Sequence, residues 1–328
     1  MSKVLVTGGA GYIGSHVAKA LLQQGYDIII YDNMENGCES AIVGGTLVKA
    51  DLADETSLSE VFSKAKVNAV IHFAGYSLVA ESMAAPQEYY YNNVVNGLNL
   101  LKVMRRYNVK KFVFSSSAAV YGEPLKLPIT EKHPTSPTNT YGETKLIFEK
   151  VLERYAGSYG LASVSLRYFN AAGADPEGQI GENHNPETHL IPLLLQRVLK
   201  GDRSEFSIFG DGYNTPDGTC IRDYVHVTDL ARAHALALEA LETPKKKFSV
   251  YNLGCGTGYS VLQVLKAVER VTGSNIPYKI CAPRTGDPAV LVAGWEKIKC
   301  DLGWVPEFND LDKIIATAWC WLKKSRRV

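Results

Sequence analysis

Residues 3–32 constrain the fold more tightly than any other part of the chain. Residues 3–6 are β-prone, and Gly8-Gly9-Ala10-Gly11-Tyr12-Ile13-Gly14 follows at once. Ile13, Val17, Ala20 and Leu21 then recur at helical spacing and lead into a continuous apolar strand over 27–31. Gly9, Gly11 and Gly14 fit G-x-G-x-x-G, and Asp32 closes the second strand 18 positions after Gly14. A glycine turn between strand and helix lets the backbone approach a ligand closely, and the helix N-terminus attracts a pyrophosphate. An acidic strand end accepts hydrogen bonds from ribose hydroxyls and repels a 2′-phosphate, so the expected ligand is NAD rather than NADP.

The alternation continues, and with it the expectation of an α/β protein built on a Rossmann-type, doubly wound parallel sheet. A strand over 46–50 ends at Asp51 and Leu52, a helix covers 53–66, and a buried strand over 68–73 ends in Phe73-Ala74-Gly75. Pro86 opens a long helix, expected to run to about Tyr107, that contains Asn92 and Asn93. A fifth strand over 111–114 delivers Ser115-Ser116-Ser117 at its carboxyl end, the edge of an open parallel sheet where ligands bind. Tyr141 and Lys145 are four positions apart in a predicted helix over 138–159, on one face and about 5–6 Å apart at Cβ. An ammonium there favours the phenolate form of tyrosine, and a serine hydroxyl could bond the same reacting oxygen. The three together make a general base with two supporters. The proline-rich excursion over 121–137, just before them, has the length of a functional loop.

After a strand over 161–166 comes Arg167-Tyr168-Phe169-Asn170, and residues 173–187 turn rich in Gly, Pro, Asp and Asn. That change predicts an NAD-binding domain over 1–172 and a smaller C-terminal α/β substrate lobe over 173–328, with the lobes interleaving. In the second part a helix opens at His189, strands are expected over 205–209, 220–227 and 250–253, and helices over 228–241 and 260–272. Residues 276–281 read as extended, and the last 35 residues as helix, turn and helix.

At 328 residues and 46% hydrophobic, the chain can bury a sizeable core. Its 35 Lys plus Arg balance 34 Asp plus Glu, and there is no long like-charge block except the short tail 323–327, so no nucleic-acid or membrane partner is expected. The start of the chain is too short and glycine-broken for a signal peptide, and no apolar run reaches membrane-spanning length. Cys38, Cys220, Cys255, Cys281, Cys300 and Cys320 show no C-x-x-C pairing and no neighbouring histidine pairs, which argues against a zinc site and a disulfide framework. A metal-free protein of the reducing cytoplasm is the expectation.

With Thr7-Gly8-Gly9-Ala10-Gly11-Tyr12-Ile13-Gly14, the run from Ser115 to Gly122, and Tyr141 to Lys145 all in place, the chain resembles the extended short-chain dehydrogenase/reductase family. Within that family it is similar to the nucleotide-sugar 4-epimerases. His72-Phe73-Ala74-Gly75, Arg222-Asp223-Tyr224-Val225-His226-Val227, Tyr251-Asn252-Leu253-Gly254 and Ala282-Pro283-Arg284 match that group in order. The resemblance implies an isomerase of galactose metabolism, interconverting UDP-glucose and UDP-galactose through a transient 4-keto sugar with tightly bound NAD.

The same resemblance implies roles. Tyr141 would be the base, Lys145 would bind the nicotinamide ribose and lower the tyrosine's pKa, and Ser117 would hold the sugar's 4-hydroxyl. Around NAD would lie Gly8, Gly11, Tyr12, Ile13 and Gly14 from the turn, then Asp32, Asn33, Asp51 and Leu52, and then Phe73, Ala74, Gly75, Asn93, Ser115 and Phe169. Asn170, Leu190, Phe209, Arg222 and Arg284 would join Ser117 and Tyr141 on the UDP-sugar. A homodimer is implied, pairing through the helices near 86–107 and 138–158 as a four-helix bundle.

The chain also departs from the group. Ser77 stands where lysine is common, His189 where many relatives have Asn, and the segment 282–287 is one residue short. Leu291 occupies the position whose size admits or excludes N-acetylated sugars, so a 4-epimerase of UDP-N-acetylhexosamines, pentoses or uronic acids is an alternative reading. Ala118 and Ala119 replace the acidic pair that sugar dehydratases need, which disfavours dehydration. Gly254-Cys255-Gly256-Thr257-Gly258 is similar to a methyltransferase loop, but too little chain follows for a complete nucleotide-binding unit. A non-catalytic NAD-binding sensor is the other competing class, and intact Ser117, Tyr141 and Lys145 count against it.

Overall fold

Strands β1 (Lys3–Thr7), β2 (Asp27–Asp32), β3 (Thr46–Lys49), β4 (Ala69–His72), β5 (Lys111–Ser117) and β6 (Ala162–Tyr168) alternate with helices in the first half of the computed structural model. The helices there are α1 (Tyr12–Gln23), α2 (Glu55–Ala65), α3 (Val79–Ala84), α4 (Pro86–Tyr90), α5 (Asn96–Arg106) and α6 (Thr140–Tyr159). The second half contributes β7 (Asn170–Ala172), β8 (Phe206–Phe209), β9 (Ile221–His226), β10 (Phe248–Leu253), β11 (Gly258–Ser260), β12 (Tyr278–Cys281) and β13 (Val290–Leu291). Its helices are α7 (Leu190–Lys200), α8 (Val227–Ala240), α9 (Val261–Thr272), α10 (Glu296–Leu302) and α11 (Leu311–Ser325). The structure describes residues 2–284 and 287–325; Thr285 and Gly286 of the expected substrate segment, and Arg326 and Arg327 of the basic tail, lie outside the described residues. Among the described residues, no helix is long and apolar enough to cross a membrane.

The central sheet has seven parallel strands in the order β10-β6-β5-β4-β1-β2-β3. The chain winds one way from β1 through β2 to β3 and the other way through β4, β5 and β6. The switch point therefore falls between β1 and β4, where a doubly wound sheet opens a crevice at its carboxyl edge. Side chains alternate across the sheet. Val4, Val6, Ile28 and Ile30 face α1 and α8, while Leu5, Ile29, Phe112 and Phe114 pack against Leu58, Leu101, Phe148 and Leu152 on the opposite face. Covering on both faces is why these strands read as continuous apolar runs.

The second half builds a smaller unit. Strands β7, β11 and β13 gather on β9, β12 pairs with β8, and α7, α9 and α11 enclose a third core around Leu194, Leu265 and Ile315. Two of its elements belong to the first unit, however: β10 pairs in parallel with β6 and α8 lies on the central sheet. The helix expected from Pro86 to about Tyr107 is interrupted. Residues Tyr91–Val95 form a π-turn between α4 and α5, and α3 precedes them unpredicted. A π-turn inserts an extra residue and re-aims the side chains it carries. Here it brings Asn93 inward, to 4% exposure.

Behind the carboxyl edge runs a buried polar network. Glu149 on α6 accepts from Arg167 Nε at 2.8 Å, from Arg167 Nη2 and from Ser116 Oγ at 2.6 Å. Arg167 Nη1 donates to Tyr121 Oη at 2.9 Å, Tyr121 Oη donates to Asn252 Oδ1 at 2.6 Å, and Asn252 Nδ2 reaches the Ile129 carbonyl at 2.8 Å. One network thus joins α6, β5, β6 and β10. Breaking a buried ion pair strands the remaining charge. Arg167→Met is expected to lower unfolding stability by about 3–5 kcal/mol in urea titrations. Replacing Glu149 with Met as well is expected to recover part of that loss, because no lone carboxylate remains.

Candidate active site

The glycine turn shows which spacing the fold uses. Gly8 sits at φ 69°, and a Cβ on it would lie 2.6 Å from the Ala74 amide nitrogen. A Cβ on Gly14 would lie 2.2 Å from the Gly8 carbonyl oxygen. Gly11 is the N-cap of α1 and its amide donates to Gly8 O at 3.2 Å. Gly8, Gly11 and Gly14, the glycines expected around NAD, make this close-packed turn and line the adjacent cavity, while Gly9 of the G-x-G-x-x-G spacing is off its wall. A Cβ on Gly9 would lie 3.0 Å from Ile30 Cγ2 on β2. No side chain caps α1 and no acidic residue sits in its first turn, which leaves the positive end of the helix open to an anion.

Beside the turn, Asp32 is 7% exposed and accepts from the Ala10 amide through Oδ2 and from the Met34 amide through Oδ1, both at 2.9 Å. Asn33 donates to Asp51 Oδ2 at 2.8 Å, joining the ends of β2 and β3. A cavity of about 680 Å³ runs along this edge, the size of a nucleotide-binding cleft. Gly8, Gly11, Tyr12, Ile13 and Gly14 line it, as do Asp32, Asn33, Asp51, Leu52, Phe73, Ala74 and Gly75. So do Ser115, Ser117, Tyr141, Lys145, Phe169, Asn170 and Leu190. Ser77 and His189, two of the departures from the group pattern, are on its wall as well.

Two elements deliver the reacting groups. Strand β5 ends in Ser115 and Ser117, while Asn139 caps α6 by accepting from the Gly142 amide at 2.8 Å and so sets the phase of Tyr141 and Lys145. Lys145 Nζ donates to the Ser115 carbonyl at 2.9 Å and lies 5.7 Å from the Tyr141 ring centroid. Asn93 does not touch the cavity. It donates to Thr144 Oγ1 and to the Tyr76 carbonyl at 3.0 Å each and accepts from the Tyr76 amide at 2.8 Å, tying the loop after β4 to α6.

Burial dominates the electrostatics. It pushes the Lys145 ammonium down to about 8, although Glu149 one turn further along α6 acts the other way. It also raises the Tyr141 phenol, against the Ser117 hydroxyl, the opposite direction to the lowering that the resemblance implies. Tyr168, which the sequence reading left out, shares a hydrogen bond with Ser115 Oγ on the same wall. Tyr76, Tyr89 and Tyr224 also line the cavity unpredicted. Tyr76 follows directly on Phe73-Ala74-Gly75, and Tyr168 stands inside the 167–170 motif beside Phe169, so the signal for both was in the motifs themselves.

Phe209 and Arg284 meet away from the cavity, and Arg222 has partners of its own. The Arg284 guanidinium stacks over the Phe209 ring at 4.4 Å, and Arg222 donates to the Ile221 carbonyl at 2.7 Å and pairs with Asp287. None of the three is on the cavity wall.

Residues 4–254 match the model of the NAD dependent epimerase/dehydratase family. A relative from Halalkalibacterium halodurans described as UDP-glucose 4-epimerase is 51% identical over 98% of this chain and 96% of its own. A crystal structure of UDP-glucose 4-epimerase from Brucella ovis in complex with NAD is 47% identical, covers 97% of this chain and 98% of its own, and superposes with a TM-score of 0.94. The UDP-glucose 4-epimerase from Bifidobacterium longum, solved in complex with NAD+ and UDP, is 42% identical over 99% of both chains, with a TM-score of 0.93.

The depressed Lys145 pKa has a signature in stability. Between about pH 8 and its ordinary 10.5, the unfolded chain keeps a proton that the folded chain has released, so stability rises with pH across that window. Compared with Lys145→Met by denaturant unfolding in the absence of ligands, the unmodified chain is expected to gain stability as pH climbs from 8 to 10.5. A difference that stays flat with pH would refute the buried, depressed ammonium.

Proposed function

The chain belongs to the NAD dependent epimerase/dehydratase family, and we propose that its cavity interconverts UDP-galactose and UDP-glucose with Tyr141, Lys145 and Ser117 as the working side chains. The observation that carries this reading is their convergence, from β5 and α6, on the cavity whose other end is the glycine turn.

NAD fits that end. The Gly8–Gly14 contact leaves no room for side chains, the open N-terminus of α1 suits a pyrophosphate, and Asp32 offers a buried carboxylate to a ribose. Bound there, NAD supplies a reversible hydride acceptor. Everything else is the work of the chain. Tyr141 takes the proton of the sugar's 4-hydroxyl, Ser117 bonds the same oxygen, and Lys145, protonated below about pH 8, favours the phenolate and holds a ribose hydroxyl. Ala118 is buried and Ala119 follows it, so no acid stands behind Ser117 to expel a hydroxyl as water. The alternative 4-epimerisation of N-acetylated, pentose or uronic UDP-sugars keeps the same machinery and differs only in the sugar.

The N-terminal part over 1–172 is the cofactor side and 173–328 the substrate side in this reading. Asn170 and Leu190 contribute to the sugar from the cavity wall, and Phe209, Arg222 and Arg284, off that wall, are the cationic and aromatic groups this reading assigns to a uridine diphosphate. The six free cysteines agree with a cytoplasmic enzyme. Tyr91 and Val95 on the π-turn and Tyr159 at the end of α6 are exposed apolar groups on the elements expected to pair in a homodimer.

Incubating the purified protein with UDP-galactose, without added NAD, should yield UDP-glucose with no net NADH. Tyr141→Phe should lower that rate by about 10²–10⁴-fold while cofactor content is retained. Absence of conversion with NAD supplied, for every UDP-hexose, pentose and uronic acid tried, would overturn the reading. Light scattering should give twice the 35.9 kDa chain mass, and Val95→Glu should shift it toward one.

A further inference from the structure

The segment between β7 and α7 carries four side chains that this chemistry leaves unused. One ligand atom from each of Glu182, His184, Glu187 and His189 lies within 4.8 Å of all the others. His184 Nδ1 is 3.2 Å from Glu182 Oε1 and 3.9 Å from Glu187 Oε1. His189 Nδ1 is 3.7 Å from Glu187 Oε1 and hydrogen-bonds Glu182 Oε1. Four N and O donors held tetrahedrally at about 2.0–2.1 Å from one ion are separated by about 3.3 Å. The 3.2 Å separation already matches that edge, the 3.7 and 3.9 Å separations would have to close by about 0.4 and 0.6 Å, and the His189–Glu182 contact would have to open.

The carboxylates are already desolvated, the Glu182 and Glu187 side chains being 6% and 4% exposed. Glu187 Oε1 accepts from the Thr188 and His189 amides at 2.8 and 2.9 Å, which orients the group. Its Oε2 is buried with no hydrogen-bond partner, a state that costs free energy until something positive occupies the space beside it. Among the described residues, no lysine or arginine pairs with either carboxylate; the nearby Lys19 is spent on Asp175 and Glu177. The two imidazoles are 32% and 49% exposed, which leaves an ion a path from solvent. Two imidazoles with two carboxylates suit zinc and its neighbours better than the oxygen-seeking magnesium or calcium.

We propose that Glu182, His184, Glu187 and His189 bind one divalent transition-metal ion of the zinc type, which clips this segment to the start of α7 at the rim of the cavity. Glu182, His184 and His189 are on the cavity wall, and the His184 ring stands edge-on to Tyr12 at 6.3 Å between centroids. The rival occupant is a pair of protons, with two imidazolium–carboxylate pairs and no metal.

The purified, chelator-stripped full chain would be titrated with Co²⁺ by calorimetry and visible absorption and then challenged with Zn²⁺. One equivalent is expected, with the d–d bands of a four-coordinate ion, no thiolate-to-cobalt band, and displacement by zinc. Combined His184→Gln and His189→Gln should weaken binding at least about tenfold, and Glu187→Gln, which changes least in shape, should weaken it in the same sense. Absence of saturable binding to the unmodified chain would overturn the proposal in favour of the proton pair. So would binding that survives either variant, or a thiolate band, which would place the ion on one of the free cysteines. If the double variant fails to fold, the unmodified chain's spectrum and Glu187→Gln decide the matter.

Discussion

A nearly buried ammonium at Lys145 is the constraint on which the rest of the site depends. At 5% exposure its charge is costly, and the fold offsets that cost in layers rather than by one counterion. The Ser115 carbonyl takes one of its protons directly. Glu149 adds a negative field from one turn away, but is itself held by Arg167 and Ser116 and so is not free to close on the lysine. Arg167 turns its other donor to Tyr121, and Tyr121 to Asn252. The chemistry at the cavity thus leans on a polar network that ends on β10, a strand from the far half of the chain. A carboxylate left free beside Lys145 would pair with it and take it away from the ribose and the phenol. Shared with arginine, it tunes the ammonium instead.

The other end of the cavity obeys a steric rule. Gly8 and Gly14 meet so closely that the turn exists only without side chains, and Ala74 crosses above Gly8 at the same distance scale. The switch point of the sheet puts this bare backbone between β1 and β4. Asp32 at the end of β2 braces it by accepting from the Ala10 amide. One carboxylate therefore shapes the turn and faces the cavity. That double duty explains why an acid at this strand end is a stronger signal than the glycines alone.

Local patterns made much of this legible. Strand, glycine turn, helix and acid lie in one short window, and Tyr141 and Lys145 are related by helical geometry that needs no tertiary information. The serine run was readable because a parallel sheet has a known binding edge. What escaped depends on distant contacts. Nothing in 86–107 announces a π-turn; it forms where Asn93 satisfies both Tyr76 backbone groups and Thr144, all far away in sequence. Two glycine spacings overlap in Gly8-Gly9-Ala10-Gly11, and the close approach of Ala74 to Gly8 is a tertiary contact that the sequence does not display. The histidine and glutamate cluster lies in an irregular segment with no period, and a search centred on cysteines passes over it. Asn93, Phe209, Arg222 and Arg284 were placed by resemblance, which transmits a list of residues without their distances from the cavity.

The proline-rich excursion over 121–137 shows how the two units are held in register. At its centre Ile129 forms a single β-bridge with the backbone around Ala293. The Ile129 amide donates to Val292 O at 2.8 Å, the Gly294 amide returns to Ile129 O at 2.7 Å, and Ile129 is wholly buried. Glu131 on the same excursion accepts from the Asn252 amide at the end of β10. The first unit therefore reaches into the second through the excursion, and the second reaches into the first through β10 and α8. A cavity between units joined in only one direction would open and close with a single hinge. Here the chain passes between the units in both directions, and the Ile129 bridge ties the excursion to the strand region around Val292, beside the edge that carries Tyr141, Lys145 and Ser117.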